Sequence, residues 1–182
     1  QGSLIVASTS DLVDLEGTAV LNNSGTVDIR SDGAWQDYLG NRGTLAINNS
    51  GTMLRSVGTG QFDFLDTALN NTGTVEVQTG QLAFGGSGGS SSGSFKAASG
   101  AEIAFIAGTQ TWTDGANATG AGAIAIRNLN GTTGGTLAVN GSDVSMERIK
   151  LGALGVLGGG GTLTITGAGS EWTAGTMNGG GT

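Results

Sequence analysis

The sequence predicts an all-β fold: a parallel β-helix of about eight coils, with two to three short strands per coil. Three observations carry this. The run Asn22-Asn23-Ser24-Gly25-Thr26-Val27 returns as Asn48-Asn49-Ser50-Gly51-Thr52-Met53 and again as Asn70-Asn71-Thr72-Gly73-Thr74-Val75. A looser unit, glycine and a small or polar residue followed by apolar-x-apolar, recurs along the chain. Glycine supplies 37 of 182 residues and proline none. An interior coil pairs on both edges and needs every backbone N–H, so the missing proline fits.

The looser unit reads Gly25-Thr26-Val27-Asp28-Ile29, Gly43-Thr44-Leu45-Ala46-Ile47 and Gly73-Thr74-Val75-Glu76-Val77. It continues at Gly122 to Ile126, Gly135 to Val139 and Gly161 to Ile165. Each copy alternates apolar and polar residues behind a turn residue, which is a strand pattern. A second strand follows at Gly60 to Phe64, at Gly80 to Phe84 and at Gly100 to Phe105. Phe64, Phe84 and Phe105 then form one inward row, and Val27, Met53, Val75 and Phe95 another. Trp35 aligns with Phe62 and Leu82 and points inward; Asp28 and Asp63 point outward.

The Asn-Asn-Ser/Thr-Gly step reads as a corner. Asn tolerates left-handed backbone, its amide can bond the coil above, and Gly supplies positive φ. Residues 85–94 are almost wholly Gly and Ser and read as a loop leaving one corner. In Ser142 to Leu157 a short helix competes with irregular strands; Gly152, Gly155 and the flanking pattern favour strands. Stacked at about 4.8 Å, the coils make a rod about 40 Å long. Residues 1–182 form one solenoid segment, expected to belong to a longer repetitive protein.

The inventory excludes much chemistry. No His and no Cys means no common zinc set, no Ser-His-Asp or Cys-His nucleophile and no disulfide. The net charge of −7 is a poor match for nucleic acid or an anionic membrane surface. No apolar run approaches a membrane span. Asp11, Asp14 and Glu16 crowd together, but the Gly-Gly-x-Gly-x-Asp calcium repeat is absent, so they read as a solubilising cluster. No metal or cofactor is expected. The carboxylates Asp28 and Asp32, or Asp63 and Asp66, are close in sequence, but a solvated face explains them better than a glycosidase pair.

Leu21-Asn22-Asn23-Ser24-Gly25-Thr26-Val27 and its copies resemble the coil units of filamentous-haemagglutinin-like exoproteins. Gly161 to Gly167 and Glu171 to Met177 resemble the strand repeats of giant bacterial surface proteins and autotransporter passengers. The resemblance implies a right-handed parallel β-helix, secretion to the bacterial cell surface, and a role in adhesion or as a stalk. The missing cysteine suits chains that cross an outer-membrane pore unfolded.

The expected function is therefore a noncatalytic, secreted structural or adhesin segment. Its partners would be host or matrix glycans or proteins, and neighbouring repeats or like subunits stacked end to end. A carbohydrate-binding β-helix is the alternative. Trp112, Trp172 and Tyr38 are its candidate glycan contacts, since aromatic faces stack on sugar rings. Carbohydrate cleavage ranks lower for want of facing carboxylates. Ice binding does too, because Thr109-Gln110-Thr111-Trp112-Thr113 and Thr162-Leu163-Thr164-Ile165-Thr166 are far apart. A filament subunit is the last reading, because an uncapped solenoid exposes strand edges.

Overall fold

The computed structural model describes residues 2–7, 12–14, 17–36, 44–86 and 88–179. They form a parallel β-solenoid of three sheets with eight strands each, about seven turns from first strand to last. The first turn holds Ser3–Val6, Leu12–Asp14 and Thr18–Asn23, one strand per sheet. The last holds Leu163–Ile165, Glu171–Trp172 and Thr176–Met177. No helix occurs among the described residues, so none is long and apolar enough to cross a membrane. The ambiguous stretch after Ser142 carries strands Val144–Met146, Ile149–Leu151 and Val156–Gly158.

The predicted rows stack in register. Val27 pairs with Met53, Met53 with Val75, and Val75 with Phe95 in the first sheet. Phe64, Phe84 and Phe105 line up in the second. All seven residues are buried and belong to one continuous core. Strand parity explains this, since residues two apart share a face and each coil needs the next to cover it. The rings of Phe64 and Phe84 stack 5.5 Å apart at 11°.

Trp35 does point inward, but its register partner is Phe64, not Phe62. The turn between these strands is long, and a slip of two residues preserves the face while moving the rung. The indole packs edge-on against Phe64 at 5.3 Å and against Phe62 at 6.2 Å.

Residues 85–94 are not a protruding loop. Gly89–Ser91 is a strand of the third sheet, paired with Gly108–Trp112 on one side and with Asn71 on the other. Backbone pairing needs no side chain, and a Cβ at Gly88 or Gly89 would collide with the carbonyl of Thr109 or Leu69. The volume missing beneath this bare strand is supplied by the next turn. Gly89 lies opposite Gln110, and Ser91 opposite Trp112. Both large side chains are buried there.

The corner glycines work differently from the expectation. Gly25, Gly51 and Gly73 do not have positive φ, and neither do the asparagines beside them. They are glycine because the turns touch. A Cβ on Gly51 would run into the carbonyl of Gly25, and one on Gly73 into that of Gly51. Paired N–H groups fix the corner at each level. Ser50 and Gly51 both donate to Asn23 O (2.8 and 3.0 Å), and Thr72 and Gly73 to Asn49 O (2.9 and 3.0 Å).

Candidate functional surfaces

The two described aromatic candidates, Trp112 and Trp172, do not assemble a platform. Trp112 has no exposed surface, which overturns its reading as a surface glycan contact. Its ring stacks on Phe95 at 4.6 Å and 11°, and its Nε1–H has no hydrogen-bond partner. Odd-numbered and even-numbered positions alternate in Gly108–Trp112, and Trp112 falls on the same side as buried Gln110. Trp172 is 61 % exposed. It stands in the inward row, opposite buried Leu151, and is open because no further described turn stacks on it. Ile165 and Met177 are exposed in the same way. Tyr38, Asp11 and Glu16 lie outside the described residues.

Of the carboxylates considered for hydrolysis, Asp28 and Asp32 are engaged in holding turns together. Asp28 is buried rather than solvated: Ser56 Oγ donates to its Oδ1 at 2.7 Å, and Arg30 Nε to its Oδ2 at 2.6 Å. Burial pushes the Asp28 carboxyl up, but the Ser56 and Arg30 contacts outweigh it and hold the group below its ordinary value. Asp32 receives Arg55 Nη2 on one oxygen and the Gly60 N–H on the other at 3.1 Å. Arg55 itself sits in an inward row, between Ile29 and Val77, with no exposed surface. Its guanidinium reaches Ser31 O at 2.6 Å and Gly60 O at 3.2 Å, tying two successive turns at the corner between the first and second sheets. Burial raises the Asp63 carboxyl, with the Gln61 amide and the Arg127 charge pulling the other way.

Two polar surfaces emerge instead. One lies on the outer face of the second sheet. Ala83, Ala104 and Ala125 form an outward row there, yet none is exposed by more than 1 %. They pack with Ile106 and Leu65 on that face, and Arg127 spans the same face. Its guanidinium runs back along the axis, bonding Glu102 at 3.2 Å, Gln81 at 3.1 Å and Gln61 at 3.1 Å in three successive strands. Beyond Ala125 a small recess of about 170 Å³ is bordered by Glu102, Arg127, Lys150 and Glu171, two cations against two acids.

The other is the asparagine corner. The inner amides form a ladder in which Asn23 Nδ2 donates to Asn49 Oδ1 and Asn49 Nδ2 to Asn71 Oδ1, both at 2.7 Å. Outside it runs a second ladder, with Asn70 Nδ2 donating to Asn48 Oδ1 at 3.0 Å and Asn48 Nδ2 to Asn22 Oδ1 at 2.8 Å. The two ladders point in opposite directions along the axis. Backbone partners set each sense. Asn23 Nδ2 also donates to Thr52 O at 2.9 Å, and Asn70 Oδ1 also accepts from the Ser90 N–H at 3.2 Å. An open groove of about 350 Å³ follows this corner, lined by Asn22, Asn48 and Asn70 with Ser24, Ser50 and Thr72. Each outer amide keeps a donor and an acceptor site unused by the ladder.

No protein-family profile, curated protein or solved structure matches this chain. The fold is a parallel β-solenoid with three strands per coil. Among the described residues no three acidic, His or Cys side chains converge as a metal set. The third sheet's own contribution to the surface is unlike that of the other two. Its eight strands, from Thr18–Asn23 to Thr176–Met177, contain no charged residue.

Proposed function

We propose that the chain is a noncatalytic, extracellular structural or adhesive segment of a large secreted bacterial surface protein. One observation carries the reading: polar side chains on strands and corners are spent on joining one turn to the next. Asp28, Asp32, Arg55 and Arg127 tie turns together, and the asparagine ladders do the same at the corner. A stalk or spacer asks for that use of polar groups and for no facing carboxylate pair. The bacterial surface setting rests on the resemblance of the Asn-x-x-Gly coil units to exoprotein repeats.

A second reading, binding of a neutral glycan, is favoured by the asparagine groove. Its amides offer paired donors and acceptors of the kind that meet neighbouring sugar hydroxyls, without a charge to exclude a neutral ligand.

A glycan-array screen of the purified chain, with sedimentation to confirm a folded rod, tests both. The spacer reading expects a blank array. A saturable hit lost in Asn48→Ala establishes the groove as a site and moves the chain to the second reading. Release of reducing sugar from any polysaccharide overturns the noncatalytic assignment.

A further inference from the structure

We infer that the outer face of the third sheet is a self-association surface, on which a second copy of this chain docks face to face as a closed twofold dimer. The inference does not depend on the spacer reading; it follows from charge, shape and area.

Charge comes first. The chain carries a net charge of −7, so two copies repel at most approaches. Strand residues of the first sheet include Asp28, Glu76 and Lys96, and those of the second include Asp63, Glu102 and Glu171. The third sheet has none along its whole height. It is the one sheet face on which two copies meet without bringing strand charges together.

Shape comes second. The outward positions of this sheet are Thr, Val, Ala, Asn, Ser and Gly only, as the register shows for Val20, Ala46 and Ala68 and for Thr109, Thr136 and Val156. No long side chain stands up to hold a second sheet away, so two faces can reach the usual sheet stacking distance of about 10 Å. Val20 is 56 % exposed in the isolated chain.

Area comes third. Eight strands at about 4.8 Å spacing and about 15 Å of strand length give roughly 500 Å² per copy, or about 1,000 Å² in total. That is the lower bound for a specific interface, so the dimer is a weak one. An isologous contact satisfies both patches at once and stops at two copies.

Sedimentation equilibrium of the full chain, from about 1 µM to about 300 µM, reads the mass directly. The expected result is a shift from one copy to two. Raising salt from about 20 mM to about 300 mM should strengthen it, because screening weakens the mutual repulsion of the acidic chains. The double substitution Ala68→Asp, Thr136→Asp should weaken the dimer at least about tenfold, as like charges then face each other, with an unchanged far-ultraviolet spectrum. Thr119→Asp, on the outer face of the first sheet, should leave it intact. A single-copy mass throughout overturns the inference. So does a dimer equally sensitive to Thr119→Asp. Masses that grow past two copies also overturn it, and identify end-to-end stacking of the exposed turns instead.

Discussion

Asn23 Nδ2 donates to Asn49 Oδ1 at 2.7 Å inside the solenoid, across 26 residues of sequence. The contact puts a side-chain bond on top of the backbone ladder at the same rung. Asn49 passes it on to Asn71, and also donates to Thr74 O at 3.0 Å. Replacing Asn49 therefore breaks three bonds and leaves buried groups on both neighbours short of a partner. Asn49→Ala should cost about 2–3 kcal/mol in urea unfolding. Asn48→Ala, one residue away in the exposed ladder, should cost about 0.5 kcal/mol, because water replaces the lost partner. Equal losses would mean that the two ladders do not differ in burial.

Parity gives the second prediction. Val75 is buried between Met53 and Phe95, while its neighbour Glu76 faces outward with Gln78 Nε2 donating to it at 2.8 Å. Val75→Asp places an unpaired charge in the core and should leave the chain unfolded at 25 °C. Glu76→Ala should change the melting temperature by less than about 2 °C. Thermal melts by circular dichroism read both.

Where apolar residues alternate and recur at a coil spacing, the face of a strand is legible in the sequence, because period and repeat together fix inside and outside. That is why the Val27 and Phe64 rows stand as read. Rung assignment was less legible: turns of unequal length slipped Trp35 by two residues without changing its side. The burial of Trp112 depends on a gap made by Gly89 and Ser91 in the preceding turn. Reading 85–94 as a loop concealed that gap. Arg127 was beyond reach because its partners lie 25, 46 and 66 residues away. A signal for its site was nonetheless present. Ala83, Ala104 and Ala125 recur every 21 residues at positions where a solvated face would carry polar groups.

Close approach gives the third prediction. Gly51 lies between Gly25 and Gly73, and a methyl group there meets the Gly25 carbonyl. Positive φ plays no part at this position. Gly51→Ala should cost about 3 kcal/mol, since backbone rather than a movable side chain must shift. Gly100→Ala is the contrast, because nothing lies within 4 Å of its Cβ and its φ is +79°. Its cost should be about 1 kcal/mol, from backbone strain alone. Chemical denaturation of the pair separates contact from conformation.

Acid should weaken the rod through two carboxylates and strengthen it through a third. Burial acts to raise Asp28, but its bonds from Ser56 and Arg30 prevail and lower it; the N–H groups of Ser142 and Asp143 lower Asp114. A lowered folded-state value means stability that is present above the ordinary 3.8 and lost as pH falls through the folded value. Asp63 is raised by burial, so its contribution is present at low pH and lost as pH rises through its folded value. Asp114→Asn should therefore flatten the loss of stability below about pH 4, and Asp63→Asn should raise stability near pH 7. Urea midpoints measured across that range check both signs.

Trp112 reports the register of the third sheet, with the two tryptophans of the second sheet as references. Trp112 is fully buried, Trp172 is 61 % exposed, and Trp35 is packed at the edge of the core. Iodide should quench a component of the fluorescence that disappears in Trp172→Phe. Trp112→Phe should remove a component that iodide does not reach. That variant loses ring volume but also removes an indole N–H that has no partner, so its cost should stay below about 2 kcal/mol. Trp112→Ala should cost about 3–5 kcal/mol, because it empties the core space opposite Ser91. A Trp112 open to iodide would place Gly108–Trp112 one residue out of register, turning every one of its side chains to the opposite face.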